Sequence, residues 1–125
     1  MGYPLLLHPL VREQDVPTLG AQFELDKKAQ LSLRKELVAL LVEIEREPRI
    51  GRPMRRRPGY EILADCHSLT FDLPGWRRKR RFRIICKLDP SIEAIHRVLV
   101  YAVGPRPNLE AYRRARERRQ AGDWP

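Results

Sequence analysis

Hydrophobic positions recur along this chain in two rhythms, and together they lay out most of the elements. Between residues 25 and 47, Leu33, Leu37, Leu40, Leu41 and Ile44 recur at spacings of three and four. That spacing lines one face of an α-helix. Glu36, Glu43 and Glu47 fall outside the stripe, and Pro48 and Gly51 stop it. The second rhythm has period two. Over residues 60–72, Leu69 and Phe71 alternate with Ser68 and Thr70; over 80–88, Phe82, Ile84 and Cys86 alternate with Arg81, Arg83 and Lys87. Both read as strands, and residues 95–103 (Ile-His-Arg-Val-Leu-Val-Tyr-Ala-Val) as a third. The turn signals Asp72-Leu73-Pro74-Gly75 and Asp89-Pro90-Ser91 separate them. Spacers this short imply antiparallel neighbours.

Shorter signals complete the layout. Residues 3–7 predict an opening strand, ended by His8-Pro9, after which Pro9 can start a short helix that Pro17 and Gly20 break. Residues 52–58, Arg-Pro-Met-Arg-Arg-Arg-Pro, read as a basic loop. A last helix is expected over 109–120, with Asn108 as N-cap and a thin apolar stripe of Leu109, Tyr112 and Ala115. The order strand, helix, three strands, helix predicts a single α+β domain over residues 1–125: a small antiparallel-rich sheet with helices packed on one face.

Alternation also divides residues between the sheet faces, since a one-residue slip would swap them. The core face takes Leu69, Phe71, Phe82, Ile84 and Cys86. The other takes Cys66, Ser68, Thr70, Arg81, Arg83 and Lys87. Cys66 and Cys86 then point apart, which argues against a disulfide between them. With no helix expected over the second face, it reads as an open basic platform for nucleic acid.

Charge sharpens this. The chain carries 25 basic and 16 acidic side chains, a formal net charge of +9. Residues 1–49 contribute −1 and residues 50–125 contribute +10. Coding bias can explain 20 Arg against 5 Lys, but not their crowding into one part of the chain. The densest run is Trp76 to Arg83, which includes Arg77, Arg78, Lys79, Arg80 and Arg81; Arg55, Arg56 and Arg57 add to it. Arginines interleaved with aromatics suit phosphates and stacked bases. At 42% hydrophobic residues, the chain is too apolar for a disordered basic tail. Leu5-Leu6-Leu7 is too short for a leader or a membrane span. Two cysteines without a CxxC, and three scattered histidines, suggest no metal site and no cofactor. A cytoplasmic protein is the expectation.

Three local patterns, in this order, carry a family resemblance. They are Asp65-Cys66-His67-Ser68-Leu69-Thr70-Phe71, then Arg81-Phe82-Arg83-Ile84-Ile85, then Val103-Gly104-Pro105-Arg106 followed by Tyr112 and Ala115. Over nearly the whole chain they resemble the RelE/ParE toxin superfamily, and RelE-like mRNA interferases most. The resemblance implies a toxin of a type II toxin–antitoxin system that cuts mRNA on the ribosome without a metal. The 2′-OH attacks the adjacent phosphate and the 5′-oxygen leaves. By matching position, Arg83 would stabilise charge on the phosphate, Arg106 would support or protonate the leaving oxygen, and Tyr112 would orient or deprotonate the 2′-OH. Guanidinium forks suit the first two roles. Arg113, Arg114 and Arg116 are expected to give Tyr112 a cationic neighbourhood. The resemblance also implies three partners, a cognate acidic antitoxin, the ribosome and mRNA, and no membrane. One departure stands out: Ser68 and Thr70 occupy positions where RelE-like enzymes often carry lysines. Arg81 or Lys87 is the expected substitute. ParE-like gyrase inhibitors share the fold without cutting RNA, and a basic nucleic-acid-binding domain without a toxin role is a third reading. Read blandly, Tyr112 would only pack a helix seam and Arg106 would be a loop cation.

Overall fold

The structure, a computed structural model, describes residues 2–125. Seven elements follow one another: β1 (Leu5–Leu7), α1 (Lys27–Arg46), β2 (Arg52–Pro53), β3 (Cys66–Phe71), β4 (Phe82–Pro90), β5 (Ile95–Pro105) and α2 (Glu110–Ala121). The strands form one mixed sheet in the order β1-β5-β4-β3-β2. Only the β1–β5 pairing is parallel; the others are antiparallel. The architecture is α+β.

The first helix forms as its sequence dictates. Asp26 caps it by accepting a 2.7 Å hydrogen bond from the Ala29 N–H, satisfying one of the free amides of the first turn. Its buried residues Leu33, Leu37 and Ile44 pack on Leu69, Phe71, Phe82, Ile84 and Cys86, together with Val98, Val100 and Val103 of β5. This is the face that alternation assigns to the core.

The opposite face departs from expectation, because helices sit on both sides of the sheet. Ala111 and Ala115 of α2 pack on Cys66, Ile85, Leu99, Tyr101 and Ala102. A bulge makes this possible. Ile85 pairs with Ala102 but Cys86 pairs with Val100, so Tyr101 is the extra residue. As a result β5 is buried from Val98 through Pro105. Of the expected stripe of Leu109, Tyr112 and Ala115, only Ala115 is fully buried, and Ala111 joins it; their small size lets the helix backbone lie close to the sheet. Only the β3–β4 end of this face stays open, with α2 as one wall. Cys66 and Cys86 lie in separate cores and are both free.

Three boundaries differ from the sequence reading. Residues 52–53, expected to be loop, form the edge strand β2, with Arg52 opposite Ser68 and Pro53 opposite His67. Proline is tolerated there because an edge position need not donate to a neighbour. Residues 61–63 form a 3₁₀ turn, so the second strand starts only at Cys66. Asn108 does not cap α2. Asn108 and Leu109 both take left-handed backbone angles (φ 58° and 56°), and the helix starts without a side-chain cap. Among the described residues, no helix is long and apolar enough to cross a membrane.

Candidate nucleic-acid interface

A cleft of about 1260 Å³ opens on the uncovered end of the second sheet face. Its floor is Ser68 and Thr70 of β3 and Arg83 of β4; the loop residues Arg55, Arg56 and Arg57 form one side. Lys79 and Arg80 come from the β3–β4 hairpin, Arg106 follows β5, and Tyr112 comes from the first turns of α2. Arg83 of β4 thus meets Arg106 and Tyr112, which lie more than twenty residues further on, in one cleft. Among the described residues no carboxylate lines the cleft.

The strand register sets the floor. Arg83 is paired with Thr70 on one side and Gly104 on the other. Its guanidinium carbon lies 4.6 Å from the centre of the Tyr112 ring, and that of Arg57 lies 5.5 Å from it. These are cation–π distances. Arg106 is held through two contacts: its backbone N–H donates to Arg81 O at 2.6 Å and its Nε donates to Arg80 O at 2.8 Å. The Nε of Arg83 is buried and has no hydrogen-bond partner. Burial lowers the pKa of Arg83; Tyr112 opposes that shift, while the nearby positive charges of Arg106 and Arg57 add to it. A buried donor without an acceptor is costly.

Not every expected cation takes part. Arg81 precedes the paired stretch of β4 and swings away from the cleft. It forms a fork on the Asp72 carboxylate, with Nη2 at 2.8 Å and Nε at 3.0 Å, and stacks 3.6 Å from the Trp76 ring centre. Burial raises the pKa of Asp72, but the hydrogen bonds from Arg81 and from the Leu73 and Arg81 amides outweigh it and hold that carboxyl below its usual range. Lys87 pairs with Asp89 at 3.3 Å and Asp65 at 3.9 Å. Neither lines the cleft beside Ser68 and Thr70, where the resemblance led us to expect a substitute cation. Arg77 and Arg78 stand exposed on the hairpin, outside the cleft lining.

The helical neighbours of Tyr112 also point elsewhere. Arg113 and Arg114 bind Glu110, and Arg116 donates to Gly59 O. The cations that face Tyr112 are Arg57 and Arg83, which come from other elements.

Sequence reasoning missed one buried group altogether. Asp15, in a short π-helical segment at Val11–Asp15, has a fully buried carboxylate. It accepts from Arg118 at 2.6 and 2.8 Å, from Arg114 at 3.1 Å and from the Val103 N–H at 2.9 Å. This lock ties the N-terminal segment to β5 and α2, and so fixes the helix that carries Tyr112. Gly104 makes room for it: a Cβ there would lie 2.9 Å from Nη1 of Arg114. No local signal marks Asp15, because its partners lie 88 to 103 residues away.

The remaining chemistry-bearing side chains lie apart from the cleft. Burial pushes the Cys66 and Cys86 thiols up to about 12, which leaves them unreactive near neutral pH. His67 is buried on the α1 side with neither ring nitrogen hydrogen-bonded, and burial lowers its pKa. A smaller cleft of about 860 Å³, beside His8 and Trp124, holds none of the expected site residues.

No family model matches the chain, and comparison with curated proteins and with solved structures gives no match. Function must therefore be read from the cleft itself.

Proposed function

We propose that the chain is the toxin of a type II toxin–antitoxin system and cuts mRNA on the ribosome without a metal. The observation that carries this reading is the meeting of Arg83, Arg106 and Tyr112 in one cleft that no carboxylate lines. Phosphoryl transfer places negative charge on non-bridging oxygens and on the leaving oxygen. In this reading Arg83 binds the former and Arg106 the latter. Tyr112 lies beside Arg83, where it can orient the attacking 2′-OH or accept its proton. The 2′-oxygen forms a bond to phosphorus, the bond to the 5′-oxygen breaks, and that oxygen takes up a proton. The expected products are a 2′,3′-cyclic phosphate and a 5′-hydroxyl.

The same cleft suits the acidic segment of an antitoxin, which would cover its cations by charge complementarity. The cytoplasm is the compartment where the ribosome and mRNA would be met. Primer extension on cellular mRNA after induction is the direct test. Cleavage and growth arrest are expected from the native chain, with a loss of about 10²-fold or more in cleavage for Arg83→Ala and for Arg106→Ala. Full toxicity in both variants would show that the site is wrongly assigned. Ser68 and Thr70 on the cleft floor favour a second reading, a non-cleaving binder of gyrase or RNA. Inhibited supercoiling with intact mRNA would select it. Harmless expression with salt-sensitive, sequence-blind binding would instead leave a general nucleic-acid-binding domain.

A further inference from the structure

The arginine run of the basic loop is anchored at both ends. At one end Met54 is buried in the core under α2, and its N–H donates to Cys66 O at 2.8 Å. At the other, Arg57-Pro58-Gly59-Tyr60 closes as a β-turn, with the Tyr60 N–H donating to Arg57 O at 2.8 Å and Gly59 at φ +83°. Proline second and glycine third, with positive φ at the glycine, are what a type II turn requires. Arg116 then staples the turn to α2. Its Nη1 donates to Gly59 O at 3.1 Å, and its guanidinium lies 4.4 Å from the Tyr60 ring centre. The Tyr60 ring meets Tyr112 edge to face at 6.1 Å. Arg57, as first residue of this turn, is thereby placed against the Tyr112 ring, which Arg83 also approaches.

We propose that Arg57 and Arg83 are the two jaws of a phosphate clamp spaced by the Tyr112 ring. The clamp rests on the reading of the cleft as a phosphate-binding surface. Two guanidiniums share one ring, and no carboxylate stands near them among the residues that line the cleft. A phosphate held by both at the edge of the ring relieves their repulsion. Because the ring is already faced by cations, it acts as a spacer and not as a platform for a nucleobase. The spacer role needs the ring of Tyr112; its hydroxyl is left for chemistry.

The test uses the full chain and two probes, inorganic phosphate followed by NMR titration and a ten-nucleotide oligoribonucleotide followed by fluorescence anisotropy. Arg57→Ala is expected to weaken both by about tenfold. Arg57→Lys should recover only part, since an ammonium lacks the planar fork. Gly59→Ala keeps every charge but opposes the positive φ, and should weaken binding in the same direction. Tyr112→Ala, which removes the ring, should weaken both as well. Arg12→Ala, on the exposed N-terminal segment, serves as the control. Unchanged phosphate affinity in Arg57→Ala overturns the clamp, and so does unchanged affinity in Tyr112→Ala. An oligoribonucleotide that fails to compete with phosphate overturns the clamp as a nucleic-acid subsite. The two proposals also fail separately. Arg57-dependent binding with intact cellular mRNA sinks the endonuclease and leaves the clamp, whereas cleavage by Arg57→Ala with an unchanged KM sinks the clamp alone.

Discussion

On one side of α2, Arg114 and Arg118 converge on the buried carboxylate of Asp15, and each of their charges is answered. On the other side, beyond Tyr112, the guanidiniums of Arg57, Arg83 and Arg106 share a cleft that no carboxylate lines. Residues 112 and 114 are successive even positions of one helix, about 200° apart around its axis. Arginine therefore does opposite work on the two sides of one helix. In the lock, charge is consumed in holding three segments together. In the cleft it is left unspent, and only an outside anion can complete it.

This contrast can be broken at either end. The largest effect is expected from Asp15→Ala, which strands the buried Arg118. Removing one partner of a buried pair costs about 3–5 kcal/mol, and urea unfolding measures it. A loss below ~1 kcal/mol would show that the lock is not structural. Salt should separate the regions next. Raising it from 50 to 200 mM should weaken oligoribonucleotide binding about twentyfold if some three phosphates are engaged, with little change in unfolding free energy, because buried pairs are screened less than exposed ones. Equal sensitivity would erase the distinction. Arg83→Met is expected to keep stability within about 1 kcal/mol while losing the anion site, since its buried Nε makes no hydrogen bond. A large stability loss would make Arg83 a structural residue after all.

The smallest effect concerns the rim of the lock. Hydrogen bonds from Arg113 and, after them, from Arg114 hold Glu110 below its ordinary value of 4.5, against a smaller opposing push from burial. A depressed carboxyl contributes stability that is complete above pH 4.5 and is lost as pH falls through its folded value. Glu110→Gln should cost about 0.5 kcal/mol at neutral pH and nothing at pH 2. A cost that persists at pH 2 would mean packing, not charge, holds that rim.

How much of this the sequence discloses depends on range. Alternation at Leu69, Phe71, Phe82, Ile84 and Cys86 places one core correctly, because a strand facing one buried layer shows period two. The second core was hidden. Val98 to Val103 is apolar without alternation, the mark of a strand buried on both faces, and the bulge at Tyr101 shifts its register. Ala111 falls outside the stripe of Leu109, Tyr112 and Ala115 that the sequence shows, yet it docks the helix beside Ala115. At the site, Arg83, Arg106 and Tyr112 came from the resemblance and not from the residue pattern; the fold brings all three to the lining of one cleft. The failure was Arg81, whose face was inferred by extending the alternation one residue beyond the paired strand. Asp15 could not be found at all, since only the folded chain brings its partners near.

The parallel seat of β1 beside β5 has a consequence for assembly. Leu5 to Leu7 find their hydrogen-bonding neighbours only at residues 98–100, and antiparallel hairpins between them can form earlier. Contacts across such spans slow folding, because the loop must close before they reward it. Synthesis runs from the N-terminus, so the first strand waits for nearly the last one, and Tyr112 reaches the cleft later still. A nascent chain halted before α2 carries the arginines of the loop and the hairpin but has no finished cleft, so the anion-binding surface is complete only once α2 has been made.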